Sequence, residues 1–191
     1  MKALSHSKKD SPLKDLGVYA AHSDFCKIFN EDMSGLHLLA LLLTADSAMA
    51  EQCFVSGFED SIQSNRVFKQ WAHSWSRRAI IKNAIRMVRP VPSATRNLAD
   101  SRPLKPEPIV SASLAAVMQL EPFDRFVLVM SVLEGYTSQD CASLLNCTRQ
   151  DVITARTSAL KQLARAETDA IVGPIQQVLH TEGPLPINSA A

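Results

Sequence analysis

The stretch Gly135 to Leu163, G-Y-T-S-Q-D-C-A-S-L-L-N-C-T-R-Q-D-V-I-T-A-R-T-S-A-L-K-Q-L, decides the fold, because it reads as two helices around a tight turn with the second one long. Thr137 or Ser138 is placed to cap a first helix whose inward side carries Cys141, Ala142, Leu144 and Leu145, and the small Ala142 lets a second helix cross closely. Asn146 tolerates the left-handed geometry that ends a helix. Thr148 then stands at an N-cap with Asp151 three residues on, a capping-box spacing, and Val152, Ala155, Ala159 and Leu163 repeat at helical period. The unit is a helix-turn-helix, which points to a nucleic-acid reader; the same pattern also suits a helical hairpin that serves packing alone.

Working outward, proline sets the organisation. Residues 90–113 hold Pro90, Pro92, Pro103, Pro106 and Pro108 among polar residues, and so many fixed φ angles and missing donors predict a linker. The chain is therefore expected to be all-α, with two small helical domains at 24–89 and 114–167. An N-terminal segment (1–23) precedes them, and a C-terminal extension (168–191) follows, broken at Gly173-Pro174. A length of 191 residues and 46% hydrophobic content suit two small cores.

In the first domain, Phe25, Ile28 and Phe29 begin a helix that Leu36, Leu39, Leu42 and Leu43 continue past Gly35. A second is expected over 48–58 and a third over 65–88. The inward stripe of the third would use Val67 or Phe68, Trp71, Trp75, Ile81 and Ile85. This segment also carries the strongest charge asymmetry in a chain of net charge +1: between Ser61 and Ala99 there is no acidic residue. Arg66, Lys69, Arg77, Arg78, Lys82, Arg86, Arg89 and Arg96 form a basic strip without sequence-local carboxylates, which predicts phosphate contact. Trp71 and Trp75 have two readings, core residues or faces on which exposed bases stack, and the stripe favours the core.

Other function classes fit poorly. The five histidines are scattered, and no phosphate-binding glycine loop, H-E-x-x-H or G-x-S-x-G occurs, so neither an enzyme, a small-molecule substrate, a metal site nor a cofactor is expected. The four cysteines form no C-x-x-C pair, and at least three are expected on apolar helix faces, as suits a reduced cytoplasmic protein. The opening residues have no signal-peptide pattern, and the longest apolar run, Leu38 to Leu43, is far too short for membrane insertion.

The order of parts resembles the extracytoplasmic-function group of bacterial RNA polymerase sigma factors, over roughly residues 24–167. L-L-A-L-L-L-T-A-D-S-A-M-A-E-Q (Leu38 to Gln52) is similar to the family's L-A-x-x-L-T-G-D-x-x-x-A-E-D in region two. F-K-Q-W-A-H-S-W-S-R-R-A-I-I-K-N (Phe68 to Asn83) is similar to F-R-A-W-L-x-x-I-A-R-N-x-x-I-D. L-E-P-F-D-R-F-V-L-V-M-S-V-L-E-G (Leu120 to Gly135) resembles region four's L-P-x-x-x-R-x-V-F-x-L-R-x-x-E-G, and G-Y-T-S-Q-D-C-A-S-L-L-N-C-T answers to G-L-S-Y-E-E-I-A-E-I-L-G-C-S.

The resemblance implies promoter recognition and transcription initiation, with core RNA polymerase, promoter DNA and an anti-sigma regulator as partners. It implies a recognition helix reading the minus-thirty-five element through Arg149, Gln150, Ile153, Thr154, Arg156 and Lys161. A region-two surface would melt and hold the minus-ten element through Arg66, Lys69, Trp71, Trp75, Arg77, Arg78, Lys82 and Arg86, and polymerase contact falls to Glu51, Gln52, Val55 and Phe58. Two departures stand out. The family's V-K-S-R-L-H-R-A-R-K is here V-I-T-A-R-T-S-A-L-K, keeping only Arg156 and Lys161 of the basic cluster, and Val55, Ser56 and Gly57 replace polar residues at the polymerase-gripping surface. The alternative is a sigma-like regulator or protein-interaction module that no longer binds core polymerase.

Overall fold

The computed structural model describes residues 17–64, 66–92 and 112–179, with side chains described for all of these but 112 and 169–179. The fold is all-α. Among the described residues β-type pairing is confined to one isolated antiparallel bridge between Tyr19 and Phe68. The chain gathers into two compact units divided between Arg89 and Pro90. Most of the predicted proline linker lies outside the described residues.

The first unit holds α1 (His22–Glu31), α2 (Met33–Thr44), α3 (Ser47–Ile62) and α4 (Ala72–Val88), the last preceded by a 3-10 turn over Lys69–Trp71. The continuous helix predicted through Phe25 to Leu43 is two helices, parted at Asp32, whose φ of −107° and ψ of 27° are not helical. Gly35 sits inside α2 beneath the Asp32 carboxylate, where any Cβ would collide with Oδ1. The break is thus set by Asp32, while the glycine makes room for its side chain. Ala45, left-handed at φ 54°, ends α2, and Asp46 caps α3 by accepting from the Met49 N–H at 2.8 Å.

Small residues hold α3 against α4. Ala50, Cys53, Gly57 and Ser61 recur at helical spacing on one buried face of α3, and Ser76, Ala79, Ile80 and Asn83 line the facing side of α4. The backbones approach so closely that a Cβ on Gly57 would lie 2.4 Å from Ile80 Cδ1, and Cys53 Sγ reaches the Ile80 carbonyl at 3.3 Å. Burial pushes the Cys53 thiol up to about 12. The buried hydroxyls of Ser61 and Ser76 donate one turn back, to the carbonyls of Gly57 and Ala72. This seam sets the phase of α4, and it corrects the predicted stripe: Val67 and Ile81 are buried, but Trp71 is 57% exposed and Trp75 38%. An indole cannot enter a crossing built for alanine and serine. The helix also begins seven residues later than Asn65, because Val18 and Ala20 pair with Lys69 and Val67 through backbone hydrogen bonds that hold this segment extended.

The second unit holds α5 (Ala112–Gln119), α6 (Pro122–Leu128) running into a π-helical turn over Val129–Leu133, α7 (Ser138–Leu145) and α8 (Arg149–Leu179). Here α5, α6 and α7 all pack on α8. Pro122 stands at the start of α6, where its missing N–H costs nothing. Arg125 is 2% exposed and donates to the carbonyls of Met118 (3.0 Å) and Leu120 (2.9 Å), satisfying acceptors that the end of α5 leaves unpaired. Its guanidinium, lowered by burial to about 10, stays charged at neutral pH. The backbone of α8 passes through Gly173 and Pro174, where a break was predicted; a proline φ fits a helix, though a hydrogen bond is lost there and the ring crowds the carbonyl one turn back. Two cysteines rather than three are buried, Cys53 and Cys141, while Cys147 is half-buried in a turn and Cys26 is exposed.

Candidate nucleic-acid interface

Each unit carries one group of the residues predicted to meet nucleic acid. In the second unit, the Thr137 hydroxyl accepts from the Asp140 N–H at 3.1 Å while the Asp140 carboxylate accepts from Thr137, a closed capping box at the start of α7. Asn146 takes φ 51° and ψ 52°, and its N–H returns to the Ala142 carbonyl. Thr148 and Asp151 repeat the box at the start of α8, with Thr148 N–H to Asp151 Oδ2 at 2.9 Å and Asp151 N–H to Thr148 Oγ1 at 3.1 Å. The Thr148 hydroxyl, donating to Asp151 Oδ2 at 2.7 Å, and then the Thr148 N–H hold the Asp151 carboxyl below the ordinary carboxylate range.

Val152, Ala155 and Ala159 of α8 are buried, whereas Arg149, Gln150, Ile153, Thr154, Arg156 and Lys161 are all exposed. Leu163 packs half-buried against Leu120, Leu128 and Ala159. Among the described residues neither Arg149 nor Arg156 meets a carboxylate.

In the first unit, Trp71, Trp75, Arg78 and Lys82 fall at i, i+4, i+7 and i+11, one face of the α4 segment turned away from the seam. The basic strip is less uniform than its sequence. Carboxylates from other helices reach across to it: Asp24 to Lys69 at 2.9 Å, Asp32 to Arg77 at 3.2 Å and to His73 Nε2 at 2.9 Å, and Asp60 to Arg86. Asp60 also accepts from buried Asn83. The Ala21 backbone N–H and then Lys69 hold the Asp24 carboxyl below its usual range. Arg78 and Lys82 meet no carboxylate among the described residues, and Arg66 is exposed with a left-handed φ of 58°.

The two indoles differ. Trp75 donates its ring N–H to Ser64 Oγ at 2.7 Å, and the Lys82 ammonium sits over its ring at 5.9 Å. Trp71 is the more exposed, and it extends an aromatic row in which Tyr19 stacks on Phe68 (5.1 Å) and Phe68 meets Trp71 edge-on (5.0 Å). Tyr19 and Phe68 are members of this surface that sequence reasoning missed. Tyr19 lies in the segment assigned no role, and only the long-range bridge brings it to Phe68.

On α3, Glu51, Gln52 and Val55 are exposed together, Val55 by 53%. Phe58 is half-buried, edge-on to Phe29 at 5.1 Å, so it divides between surface and core. Gly57, grouped with that surface in the sequence, faces the opposite way, into the seam with α4. Among the described residues no helix is long and apolar enough to cross a membrane.

No protein-family model matches the chain, and no curated protein is similar to it. One solved structure, a co-crystal of the sigma factor RpoE with the anti-sigma factor NepR from Bartonella quintana, superposes with a TM-score of 0.45 and 17% identity. The match covers 76% of this chain and 98% of that one.

Proposed function

We propose that this protein is a sigma factor that directs transcription initiation by core RNA polymerase in the cytoplasm, without catalysis of its own. The observation that carries the reading is the row of Trp71, Trp75, Arg78 and Lys82 along the 3-10 turn and α4, in which both tryptophans and Lys82 are exposed and Arg78 is half-buried. It offers aromatic faces and unbalanced cations together, the chemistry a melted strand requires. A face of that kind is costly to leave in water unless something covers it. The second support is the exposure of Arg149, Gln150, Ile153, Thr154, Arg156 and Lys161 on α8, which would be the side chains to meet promoter duplex. Polymerase would be gripped through Glu51, Gln52 and Val55, with Phe58 braced from below, and an anti-sigma regulator would compete for these surfaces. Binding energy from polymerase and DNA would offset the unstacking of a few base pairs.

The test is retention of core RNA polymerase by the purified protein across a salt series, which removes nonspecific electrostatic association. Retention at physiological salt, lost on Val55→Glu, supports the reading. A folded protein that retains no polymerase overturns it in favour of a sigma-derived regulator or protein-interaction module. The apolar Val55 on an otherwise polar face, and a recognition helix with few cations, favour that second reading.

A further inference from the structure

The exposed side of α8 is a short ordered pattern. Arg149, Ile153 and Arg156 lie at i, i+4 and i+7 and share one exposed stripe, roughly a quarter turn around the helix from the buried Val152, Ala155 and Ala159. At the helix N-terminus beneath the stripe, the Thr148 N–H is taken by the Asp151 carboxylate and the Asp151 N–H by the Thr148 hydroxyl. The Thr157 hydroxyl is turned back onto the Ile153 carbonyl at 2.9 Å. That leaves two guanidinium forks, each with no carboxylate partner among the described residues, and between them a branched apolar side chain 46% exposed.

In a major groove these groups have distinct tastes. A guanidinium fork matches the O6 and N7 acceptors of guanine, and an apolar side chain matches the thymine methyl. Seven helical residues advance about 10.5 Å at ~1.5 Å each, which is roughly three base-pair steps. We propose that α8 reads a duplex carrying two guanines about three base pairs apart, one under Arg149 and one under Arg156, with a thymine methyl between them against Ile153. This rests on the helix-turn-helix reading of the second unit and adds to it a residue-by-residue assignment.

The experiment is selection from a random duplex library by the full chain, alone and with core RNA polymerase, followed by binding measurements on the winning site. The expected motif has the two guanines at that spacing and an intervening thymine. Arg149→Ala and Arg156→Ala each relax one guanine position, with a loss of about 5- to 150-fold for the parent site. Arg149→Lys keeps the charge and the salt slope but relaxes the same position, because an ammonium cannot form the fork. Replacing the thymine by uracil weakens the parent protein about fourfold, the worth of one buried methyl, and leaves Ile153→Ala nearly unaffected. A reproducible motif without the guanine pair, or one unchanged in Arg149→Lys, overturns the assignment and leaves the helix-turn-helix reading standing. If no duplex is enriched with or without polymerase, both fall.

Discussion

Gly57 of α3 and Ile80 of α4 lie so close that an added Cβ would stand 2.4 Å from Ile80 Cδ1 and 3.3 Å from its Cα. The methyl can rotate away, but the backbone atom cannot, and Ile80 is fully buried. Gly57→Val should therefore destabilise the first unit by about 1–3 kcal/mol through overpacking, with Gly57→Ala milder. Urea unfolding followed by tryptophan fluorescence reads this directly, since both tryptophans belong to that unit; an unchanged midpoint would contradict the close crossing.

Arg125→Met removes both donors from the carbonyls of Met118 and Leu120. Methionine fills much of the volume but leaves buried acceptors unsatisfied, so a loss of about 2–4 kcal/mol is expected, concentrated in the second unit. Hydrogen exchange should show α5 and α6 opening first, with α2 and α3 unaffected.

Thr148→Ala removes the cap of α8 and should cost about 1 kcal/mol of stability. Its pH dependence follows from Asp151, whose folded carboxyl titrates below the ordinary value of 3.8. A depressed carboxylate contributes stability that is complete above the unfolded value and is lost as pH falls through the folded one. The gap between the parent and Thr148→Ala should hold steady from neutral pH down to about 5, then narrow under acid. Thermal melts at several pH values check it; a gap that widened in acid would reverse the assignment.

Trp71 and Trp75 should separate in function. Trp71→Ala should weaken binding of a single-stranded oligonucleotide about 5- to 150-fold with little change in melting temperature. Trp75→Ala also breaks the bond to Ser64 and should lower stability as well. The double change of Arg78 and Lys82 to serine should flatten the salt dependence by about 1.4 in slope, the share of two phosphate contacts on a single strand. The same exchange at Arg77 is a poorer probe, because that side chain holds Asp32. Equal effects of Trp71→Ala and Trp75→Ala on binding and stability would erase the distinction.

The helix-turn-helix was legible because its signals are local. Thr137 and Thr148 each close a box three residues long, Asn146 supplies the left-handed turn, and the buried Ala142, Val152 and Ala159 fall where the period puts them. The first unit was harder. Large apolar residues were expected inward on α4, but its buried face carries Ala72, Ser76, Ala79 and Asn83 beside Ile80 and Ile81, and the tryptophans turn out to solvent. The small residues at i, i+4, i+7 and i+11 were a usable signal for that close crossing. Asp24, Asp32 and Asp60 could not be found as partners of the basic strip, because pairs 26 to 45 residues apart in sequence leave no periodic trace. The role of Gly57 was missed for the same reason: Ile80, which needs its missing side chain, lies on another helix.

The paired boxes around Asn146 carry a kinetic consequence. Their hydrogen bonds join residues three apart, so the α7–α8 corner needs no distant part of the chain to acquire its shape. Contacts of such short range close within microseconds, whereas the α3–α4 crossing must first bring Cys53 and Ile80 together over a loop of 27 residues. The corner that presents Arg149 and Arg156 therefore has a shorter search to its native form than the α3–α4 crossing.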